Sequence, residues 1–136
     1  MKPKIFIDSD ILLDVLIARE PHAIKSAEVI NLCELNKVKG YTSSNAILNI
    51  AYVLGKSKLA NVKKQIKLIS ELIEVLPTTN KDIEWALESE FKDFEDAVQN
   101  SVAARKGLSV LVTRNVKDYK VSKLSVHTPK SFLSEY

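Results

Sequence analysis

The sequence predicts an α/β fold with three layers, in which helices cover both faces of a central parallel sheet of four to five strands. Short β-branched runs alternate with longer stretches of helical periodicity along the chain. Such alternation favours parallel pairing, since each helix returns the chain to the same end of the sheet. A length of 136 residues is typical of one domain, so we predict a single domain over residues 1–136.

The N-terminal quarter predicts one strand and two helices. The apolar run KIFI, residues 4–7, has the length of a buried strand and leads into a helix that begins near Ser9 or Asp10. We expect that helix to end around Arg19. Pro21 then opens a second helix, because proline is tolerated in a first helical turn.

The middle of the chain predicts two further strands and two helices. Gly40 stands where a helix commonly ends, and the segment GYTSSN, which starts with it, predicts a strand. Ser43 or Ser44 would cap the following helix, AILNIAYVLGK. A lysine-rich helix is expected from about Leu59 to Glu74, and the run VLP after it predicts a third strand.

The C-terminal part predicts three helices and two strands. Asn80 would cap the helix NKDIEWALES, and Asp93 would cap the helix DFEDAVQNSVAARKG, which Gly107 ends. The run SVLVT is short, β-branched and bounded by turn residues, as expected of a buried strand. A last short strand, SVHT, precedes a terminal helix that begins with Pro129.

Composition excludes several kinds of site. The single cysteine, Cys33, excludes an internal disulfide framework and a cysteine-based zinc site, and its apolar neighbours place it in the core. His22 and His127 are far apart and lack the spacing of metal ligands. The sequence shows neither a signal peptide nor an apolar stretch long enough for a bilayer, so we expect no membrane partner and a cytoplasmic location.

The charge balance permits a polyanionic partner. The formal net charge is +3, and the segment from Gly55 to Lys67 carries five lysines and no acid. Lys56, Lys58 and Lys63 of this segment are candidate phosphate contacts, and a solvated helix face is the alternative. Net charge alone does not decide between these two interpretations.

Polar side chains are predicted to meet at one edge of the sheet. Asp8 follows the first strand, Thr113 ends SVLVT, and Asn115 and Asp118 lie in the loop behind it. In open α/β sheets the carboxyl ends of the strands share one edge, and ligands bind there. This edge is therefore the candidate functional site.

Two further acids, Asp93 and Asp96, open the helix that precedes SVLVT, and their spacing of three puts them on one face. If the first strand and SVLVT are neighbours, Asp8 and Asp96 converge with the loop that holds Asn115. Clustered carboxylates repel each other and stay ionised only when a positive charge lies between them. Oxygen ligands of this kind suit Mg²⁺ or Mn²⁺, which would orient water and stabilise charge on a phosphoryl oxygen.

Each acid also has a purely structural alternative. Asp10 and Asp93 are suitable helix caps, and Asp96 is a favourable acid for a first helical turn. Asp14 lies one turn beyond Asp10, where it would face water. Asp118 could cap a short turn. Only their joint position at the ligand-binding edge favours the metal-site interpretation.

Three stretches together are similar to a known family. FIDSDILLDVL, DFEDAVQNSVAA and VLVTRNVKDY resemble, in this order, the PIN domain family, of the kind found in the toxins of bacterial and archaeal toxin–antitoxin pairs. The likeness extends over the whole chain in motif order. It implies a metal-dependent ribonuclease with a parallel sheet, an acidic site for Mg²⁺ or Mn²⁺, an antitoxin as partner, and a homodimer.

The resemblance implies roles for individual residues. Asp8 matches the family's first acid, Asp96 matches the acid of the later helix, and Thr113 matches the residue that ends the fourth strand. The chain departs from the family at two positions: Asn49 stands where a glutamate is usual, and Asn115 where an aspartate is usual. An amide keeps a carbonyl oxygen but no charge, so it attracts a cation less strongly.

The expected site follows from these matches. The expected catalytic residues are Asp8, Asp96, Asp118, Asn115, Asn49 and Thr113. The expected metal ligands are Asp8, Asp96, Asp93 and Asp118. The expected substrate contacts are Arg114, Ser9, Lys56, Lys58 and Lys63. Arg114 could meet a phosphate oxygen beside the metal, or it could be an ordinary surface arginine.

Two other functions stay open at this point. Asn49 and Asn115 favour a PIN-like module that binds RNA or another partner with little or no cleavage. FIDSDILLD also resembles the Asp-x-Asp signature of the haloacid dehalogenase phosphatases, with Asp8 as nucleophile and Asp10 as acid and base. That family also requires a downstream lysine, for which Lys106 is a poor candidate.

Apolar surfaces for a partner are less clearly indicated. The run YVL in the third helix and the apolar faces of the early helices are candidates for an antitoxin or dimer surface, and equally for the core. Trp85 and Phe91 are six residues apart, a spacing that does not place them on one helical face. We therefore predict no base-stacking platform there.

Overall fold

The computed structural model describes residues 2–57 and 61–136. Within these residues the strands are β1 (Lys4–Ile7), β2 (Lys39–Ser43), β3 (Glu74–Leu76), β4 (Val110–Val112) and β5 (Ser125–His127). The helices there are α1 (Ser9–Leu16), α2 (Ala23–Glu34), α3 (Ser44–Ser57), α4 (Val62–Leu72), α5 (Asn80–Glu88), α6 (Phe94–Lys106) and α7 (Pro129–Glu135), with a 3₁₀ turn at Val116–Tyr119.

The strands form one parallel sheet in the order β3-β2-β1-β4-β5. Side chains alternate between the two faces of a strand, so β1 supplies both hydrophobic layers. Ile5 and Ile7 belong to the core cluster that α1, α2, α3, α4 and α7 share, whereas Phe6 belongs to the cluster on the side of α5 and α6. This arrangement confirms the predicted three-layer α/β fold with a parallel sheet. A single domain over residues 1–136 stays a prediction.

The central strand, β1, is buried from Ile5 to Ile7. Ile5, Phe6 and Ile7 have no solvent exposure, and each such side chain contributes about 1.5–3 kcal/mol through burial. β1 pairs with β2 on one side and with β4 on the other. The carboxyl ends of β1 and β4 therefore lie side by side in the middle of one sheet edge.

Gly40 does not end a helix, as the sequence predicted, but lies inside β2. A Cβ atom at this position would lie 2.8 Å from Sγ of Cys33 and 2.9 Å from Cγ2 of Ile73. The glycine therefore allows the close approach of α2 to the sheet, which is a different reason for a glycine than a helix end. Cys33 is buried at this contact, as predicted.

Several other predicted boundaries are also displaced. α1 ends at Leu16 and not near Arg19, and α2 begins at Ala23 and not at Pro21. The lysine-rich helix ends at Leu72, because the chain already enters β3 at Glu74. Its predicted beginning at Leu59 lies outside the described residues.

Most predicted helix caps are confirmed. The hydroxyl of Ser43 accepts a hydrogen bond from the N–H of Ala46 at 3.0 Å, and Asp93 accepts one from the N–H of Asp96 at 2.9 Å. Gly107 ends α6 in the left-handed region, with φ of 87°. The predicted cap Asn80 is wrong: it is the first residue of α5, and Thr79 occupies the cap position.

No helix in the described part of the chain is both long and apolar enough to span a membrane.

Candidate active site

A pocket of about 200 Å³ opens at the sheet edge where β1 and β4 end. It is lined by Asp8, Ser9, Asp10, Asp93, Glu95, Asp96, Asn115 and Asp118. Asp8 directly follows β1, and Asn115 and Asp118 follow β4. Asp93 caps α6, and Asp96 lies in its first turn. Parallel pairing of β1 with β4 therefore brings together residues from the two ends of the chain.

Asp8 is the buried centre of this pocket, with 4% exposure. Its carboxylate accepts hydrogen bonds from the hydroxyl of Thr113 at 2.8 Å and from the side-chain amide of Gln99 at 3.1 Å. The hydroxyls of Tyr119 and Ser9 lie further away, at 3.3 and 3.4 Å. These four donors are neutral, so they fix the orientation of the carboxylate without neutralising its charge.

Tyr119 connects the two acids that the sequence singled out. Its hydroxyl lies 3.3 Å from Asp8 and 3.2 Å from Asp96. Burial and the neighbouring Asp8 raise the pKa of Asp96 to about 7, and the same two causes raise the pKa of Tyr119 well above its ordinary value. The tyrosine therefore stays protonated and can donate to only one carboxylate at a time.

Asp10 is also a residue of the pocket, whereas the sequence favoured a capping role for it. The cap position of α1 is held by Asp8, and Asp10 lies in the first turn. One carboxylate oxygen accepts a hydrogen bond from the amide of Asn115 at 3.2 Å, and the other is buried and accepts none from any described residue. Burial, followed by repulsion from Asp8, raises the pKa of Asp10 to about 7.

Asp14 does not face water, as the sequence predicted, but is completely buried. Its carboxylate lies 2.8 Å from Nε of Arg114 and 3.2 Å from Nε of Arg19, although neither N–H bond is directed at an oxygen. The hydroxyl of Ser26 donates to it at 3.1 Å. Arg114 is thus part of a buried ion pair, not an ordinary surface arginine.

The remaining predicted residues lie at different distances from the pocket. Thr113 lies behind Asp8, and the amide of Asn49 donates to Ser9 at 3.3 Å, which places Asn49 one contact away from the pocket wall. Lys56 lies over the ring of Tyr52 and Lys63 is exposed on α4, and neither lines the pocket. Lys58 lies outside the described residues.

Three residues of the site were not predicted as functional from the sequence. Gln99 and Tyr119 hold Asp8, while Glu95 lines the pocket. Asp10, which also lines it, was given a functional role only in the phosphatase alternative. The only available signal was spacing: Gln99 follows Asp96 by three residues, which places both on one face of α6. Lys106 lies over the ring of Tyr41 and does not line the pocket, so the lysine that the phosphatase alternative requires is not supplied by it.

Trp85 and Phe91 do not share a helical face, as predicted, and the absence of a base-stacking platform stays a prediction. Trp85 and Phe91 are in contact, with ring centroids 6.0 Å apart, and Phe91 packs in turn against Tyr119 at 5.7 Å. Helical spacing did not apply to this pair because α5 ends at Glu88 and the chain turns before Phe91. The cluster supports Tyr119 from behind.

The donor set fits a hard divalent cation. Across residues 2–57 and 61–136, no three acidic, histidine or cysteine side chains are close enough to surround an ion by themselves. Mg²⁺ and Mn²⁺ tolerate this, since they keep several waters and are held by one or two carboxylates. The raised pKa of Asp96 and the unpartnered oxygen of Asp10 are features that a nearby positive charge would relieve.

Comparisons with known proteins match this chain to one family. A family model described as PIN domain matches residues 4–117. A curated relative, Ribonuclease VapC1 from Aquifex aeolicus (strain VF5), is 27% identical over 138 residues, which is 98% of this chain and 95% of that protein.

Two solved structures share the fold. VapBC2 from Rickettsia felis, bound to a DNA fragment from its promoter, superposes with a TM-score of 0.69 at 16% identity, covering 92% of this chain and 98% of that one. A toxin–antitoxin complex from Klebsiella pneumoniae superposes with a TM-score of 0.68 at 20% identity, covering 91% of this chain and 96% of that one.

Proposed function

The chain belongs to the PIN domain family, and from this premise we propose that it is a divalent-metal-dependent endoribonuclease, the toxin of a toxin–antitoxin pair. The observation that carries the proposal is that Asp8 and Asp96 line one pocket and share the hydroxyl of Tyr119. The name of the curated relative, a ribonuclease, supports the activity. RNA as substrate would place this activity in the cytoplasm.

Asp8 and Asp96 would hold Mg²⁺ or Mn²⁺, with Asp93 and Asp118 assisting at the rim of the same pocket. When bound, the cation supplies an activated water and stabilises negative charge on the phosphoryl oxygen. Thr113 fixes Asp8 in one orientation, because its hydroxyl donates at 2.8 Å. A carboxylate held in this way needs no reorganisation when the ligand arrives.

The two asparagines would act through hydrogen bonds. The side-chain N–H of Asn115 donates to Asp10, which leaves its carbonyl oxygen to accept a hydrogen bond from water or from a substrate hydroxyl. Asn49 donates to Ser9, whose hydroxyl lies at the pocket wall. Asn49 would therefore act as a positioning residue through Ser9.

RNA would be guided by positive charge outside the acidic pocket. Arg114 lies in the loop after β4, directly before Asn115 of the acidic pocket, and is a positively charged residue adjacent in sequence to that pocket. Lys56 and Lys63 are exposed at the end of α3 and on α4, where they could contribute to a long-range electrostatic attraction of the RNA. Lys58, in the same basic segment, would act with them.

We also propose an antitoxin partner and a homodimer. The toxin–antitoxin complex among the solved structures with this fold supports the first. Within the YVL run, Leu54 is buried in the core, whereas Tyr52 is 63% exposed and Leu48, one turn earlier, is 70% exposed. This exposed pair on α3 is the candidate apolar contact between two copies.

The test is cleavage of single-stranded and structured RNA with Mg²⁺ or Mn²⁺, comparing the wild type with Asp8→Asn. This change removes one charge while keeping the shape, and we expect at least a 100-fold lower cleavage rate. Glu71→Gln, which removes an exposed acid of α4, is the matched control and should cleave like the wild type. Equal cleavage by Asp8→Asn, or none by the wild type at any metal concentration, would contradict the proposal.

A binding module without chemistry is the second candidate. The observation that favours it is that both asparagines direct amide N–H groups at neighbouring oxygens, so they bring hydrogen-bond donors where the family usually has charge. Calorimetric titration with Mn²⁺ separates the two functions. Absence of heat at millimolar Mn²⁺, together with retained RNA binding, would favour the module.

A further inference from the structure

A second pocket, of about 260 Å³, lies on the other side of the loop that follows β4. Its walls include Pro21, His22, Lys25, Arg114, Pro129 and Lys130. These residues come from the beginning of α2, the loop after β4 and the beginning of α7. No acidic side chain is among the described residues that line this pocket, in contrast to the first one.

The loop after β4 connects the two pockets residue by residue. Thr113 donates to Asp8 and Asn115 donates to Asp10, both on the acidic side. Arg114, between them, pairs instead with Asp14 and lines the second pocket, which we call the basic pocket. Consecutive side chains of this segment thus point alternately toward the acidic pocket and the basic pocket, as in an extended strand.

The second pocket borders buried acids that hold Arg114. Asp14 is fully buried, and both Arg114 and Arg19 lie within 3.2 Å of it. Arg114 also lies near Asp10, where it counteracts part of the rise in pKa that burial causes. Arg114 lines the second pocket with a guanidinium that these acids partly neutralise, so the positive charge there depends on further cations.

Two lysines of the pocket wall supply this further positive charge. Lys25 lies 3.4 Å from Glu28 in an exposed pair, which neutralises little in water. Lys130 forms no ion pair with any other residue of the described segments. Two ammonium groups and one guanidinium thus line a cavity large enough for a phosphate group with part of its ribose.

We propose that this basic pocket binds a phosphate of the RNA strand that flanks the phosphate to be cleaved. The inference rests on the proposed ribonuclease function and adds the path of the substrate to it. The strand passes over Asn115 and Arg114 from the acidic pocket to the basic one. Arg114 and the two lysines hold the flanking phosphate through charge-assisted hydrogen bonds, and the faces of Pro21 and Pro129 contact its sugar.

The test is equilibrium binding of a fluorescein-labelled, single-stranded 12-nucleotide RNA, followed by fluorescence anisotropy at several salt concentrations. Ca²⁺ replaces Mg²⁺ to neutralise the acidic pocket, and a gel of the same samples verifies that the RNA stays intact. The variant Lys25→Ala/Lys130→Ala is compared with Lys4→Ala/Lys37→Ala, which removes the same charge from exposed positions outside both pockets.

The expected result is a Kd about tenfold higher for Lys25→Ala/Lys130→Ala than for the control variant. The slope of log Kd against log salt should also fall by about 0.7 for each lost phosphate contact. Equal affinities of the two variants would overturn the proposal. A second outcome would also overturn the proposal: the protein binds a hexaglutamate peptide more tightly than the RNA, and only Lys25→Ala/Lys130→Ala loses this peptide binding. The pocket would then be a site for an acidic peptide.

The two proposals fail in different ways. If the wild type cleaves RNA but the pocket variant binds like its control, the flanking-phosphate site is wrong and the ribonuclease stands. If no RNA is cleaved with any metal but RNA binding depends on Lys25 and Lys130, the ribonuclease is wrong. The pocket is then an RNA-binding site of a protein without cleavage.

Discussion

The hydroxyl of Thr113 donates to the carboxylate of Asp8 at 2.8 Å, across the pair of strands β4 and β1. Both side chains are buried, with 0% and 4% exposure. A hydrogen bond to a buried carboxylate holds it in place and lowers the cost of its charge. The threonine is therefore a positioning residue for the acid at the centre of the site.

Thr113→Val tests this relationship because valine keeps the shape and removes only the hydroxyl. We expect RNA cleavage to fall about 10–100-fold, the usual effect of losing such a support. The control is Thr113→Ser, which retains the hydroxyl and should restore most of the activity. A Thr113→Val protein that cleaves like the wild type would contradict the positioning role.

Tyr119→Phe tests the connection between Asp8 and Asp96. The phenyl ring retains the edge contact with Phe91, so we expect the melting temperature to change by only a few degrees. The two carboxylates lose a shared donor, and the cleavage rate should fall about tenfold. Tyr136→Phe, at an exposed ring of α7's C-terminal cap, is the control and should leave the rate unchanged.

Asn115→Asp tests the effect of restoring the acid that the family usually has. Without metal, the new carboxylate replaces a hydrogen bond to Asp10 with repulsion, so the melting temperature should fall. With Mn²⁺, the added charge should increase both the metal affinity and the rise in melting temperature on binding. Thermal unfolding with and without Mn²⁺ measures both effects, and Asn31→Asp, on exposed α2 surface, should show neither.

Asp82 predicts a pH dependence of stability away from the site. It is fully buried and accepts hydrogen bonds from Thr79, Ser101 and Arg105 at 2.8, 2.8 and 2.9 Å. Burial alone would raise its pKa, but the hydrogen bonds, above all that from Arg105, outweigh burial and hold the pKa below its ordinary value of 3.8. A lowered pKa stabilises the folded protein above pH 3.8, and this contribution disappears as the pH falls through the folded pKa.

We therefore expect Asp82→Asn to lower the free energy of unfolding by about 2 kcal/mol at pH 7, since the guanidinium of Arg105 is partly exposed and the pair is only partly desolvated. The difference from the wild type should shrink at pH 3. Urea denaturation at both pH values measures it. Glu84→Gln, an exposed acid on the same helix, should show no such pH-dependent difference.

Gly40 gives a prediction about packing. An added methyl group would lie 2.8–3.0 Å from Cys33, Ile73 and Ile7, so we expect Gly40→Ala to destabilise the protein by about 1–3 kcal/mol. Gly55→Ala is the matched control: nothing lies within 4 Å of its added Cβ, and a helical alanine should be neutral or stabilising by about 0.5–1 kcal/mol. Equal unfolding free energies of the two variants would contradict the packing argument.

The sequence was informative wherever a property depends on neighbouring residues. KIFI and SVLVT are short apolar runs with the length of a buried strand, and the caps Ser43 and Asp93 need only residues three positions away. Parallel pairing of the two strands follows from their alternation with helices. The meeting of Asp8 and Asp96 then follows from the sheet edge alone.

Contacts between segments that are remote along the chain could not be predicted from neighbouring residues. Asp14 is buried beside Arg19 and Arg114, and Arg114 comes from a segment one hundred positions further along the chain. Tyr119 lies in a 3₁₀ turn, whose sequence does not show which side chain turns inward. Gly40 was assigned to a helix end because a glycine that allows close packing has the same local signature.

The order of strands in the sheet has a consequence for biosynthesis. The central strand is made first, but one of its two neighbours, β4, is made only after most of the chain has been translated. A nascent polypeptide that stops before Val110 has neither Thr113 nor Asn115 to complete the pocket. The candidate site can therefore form only after β4 and the loop behind it have left the exit tunnel.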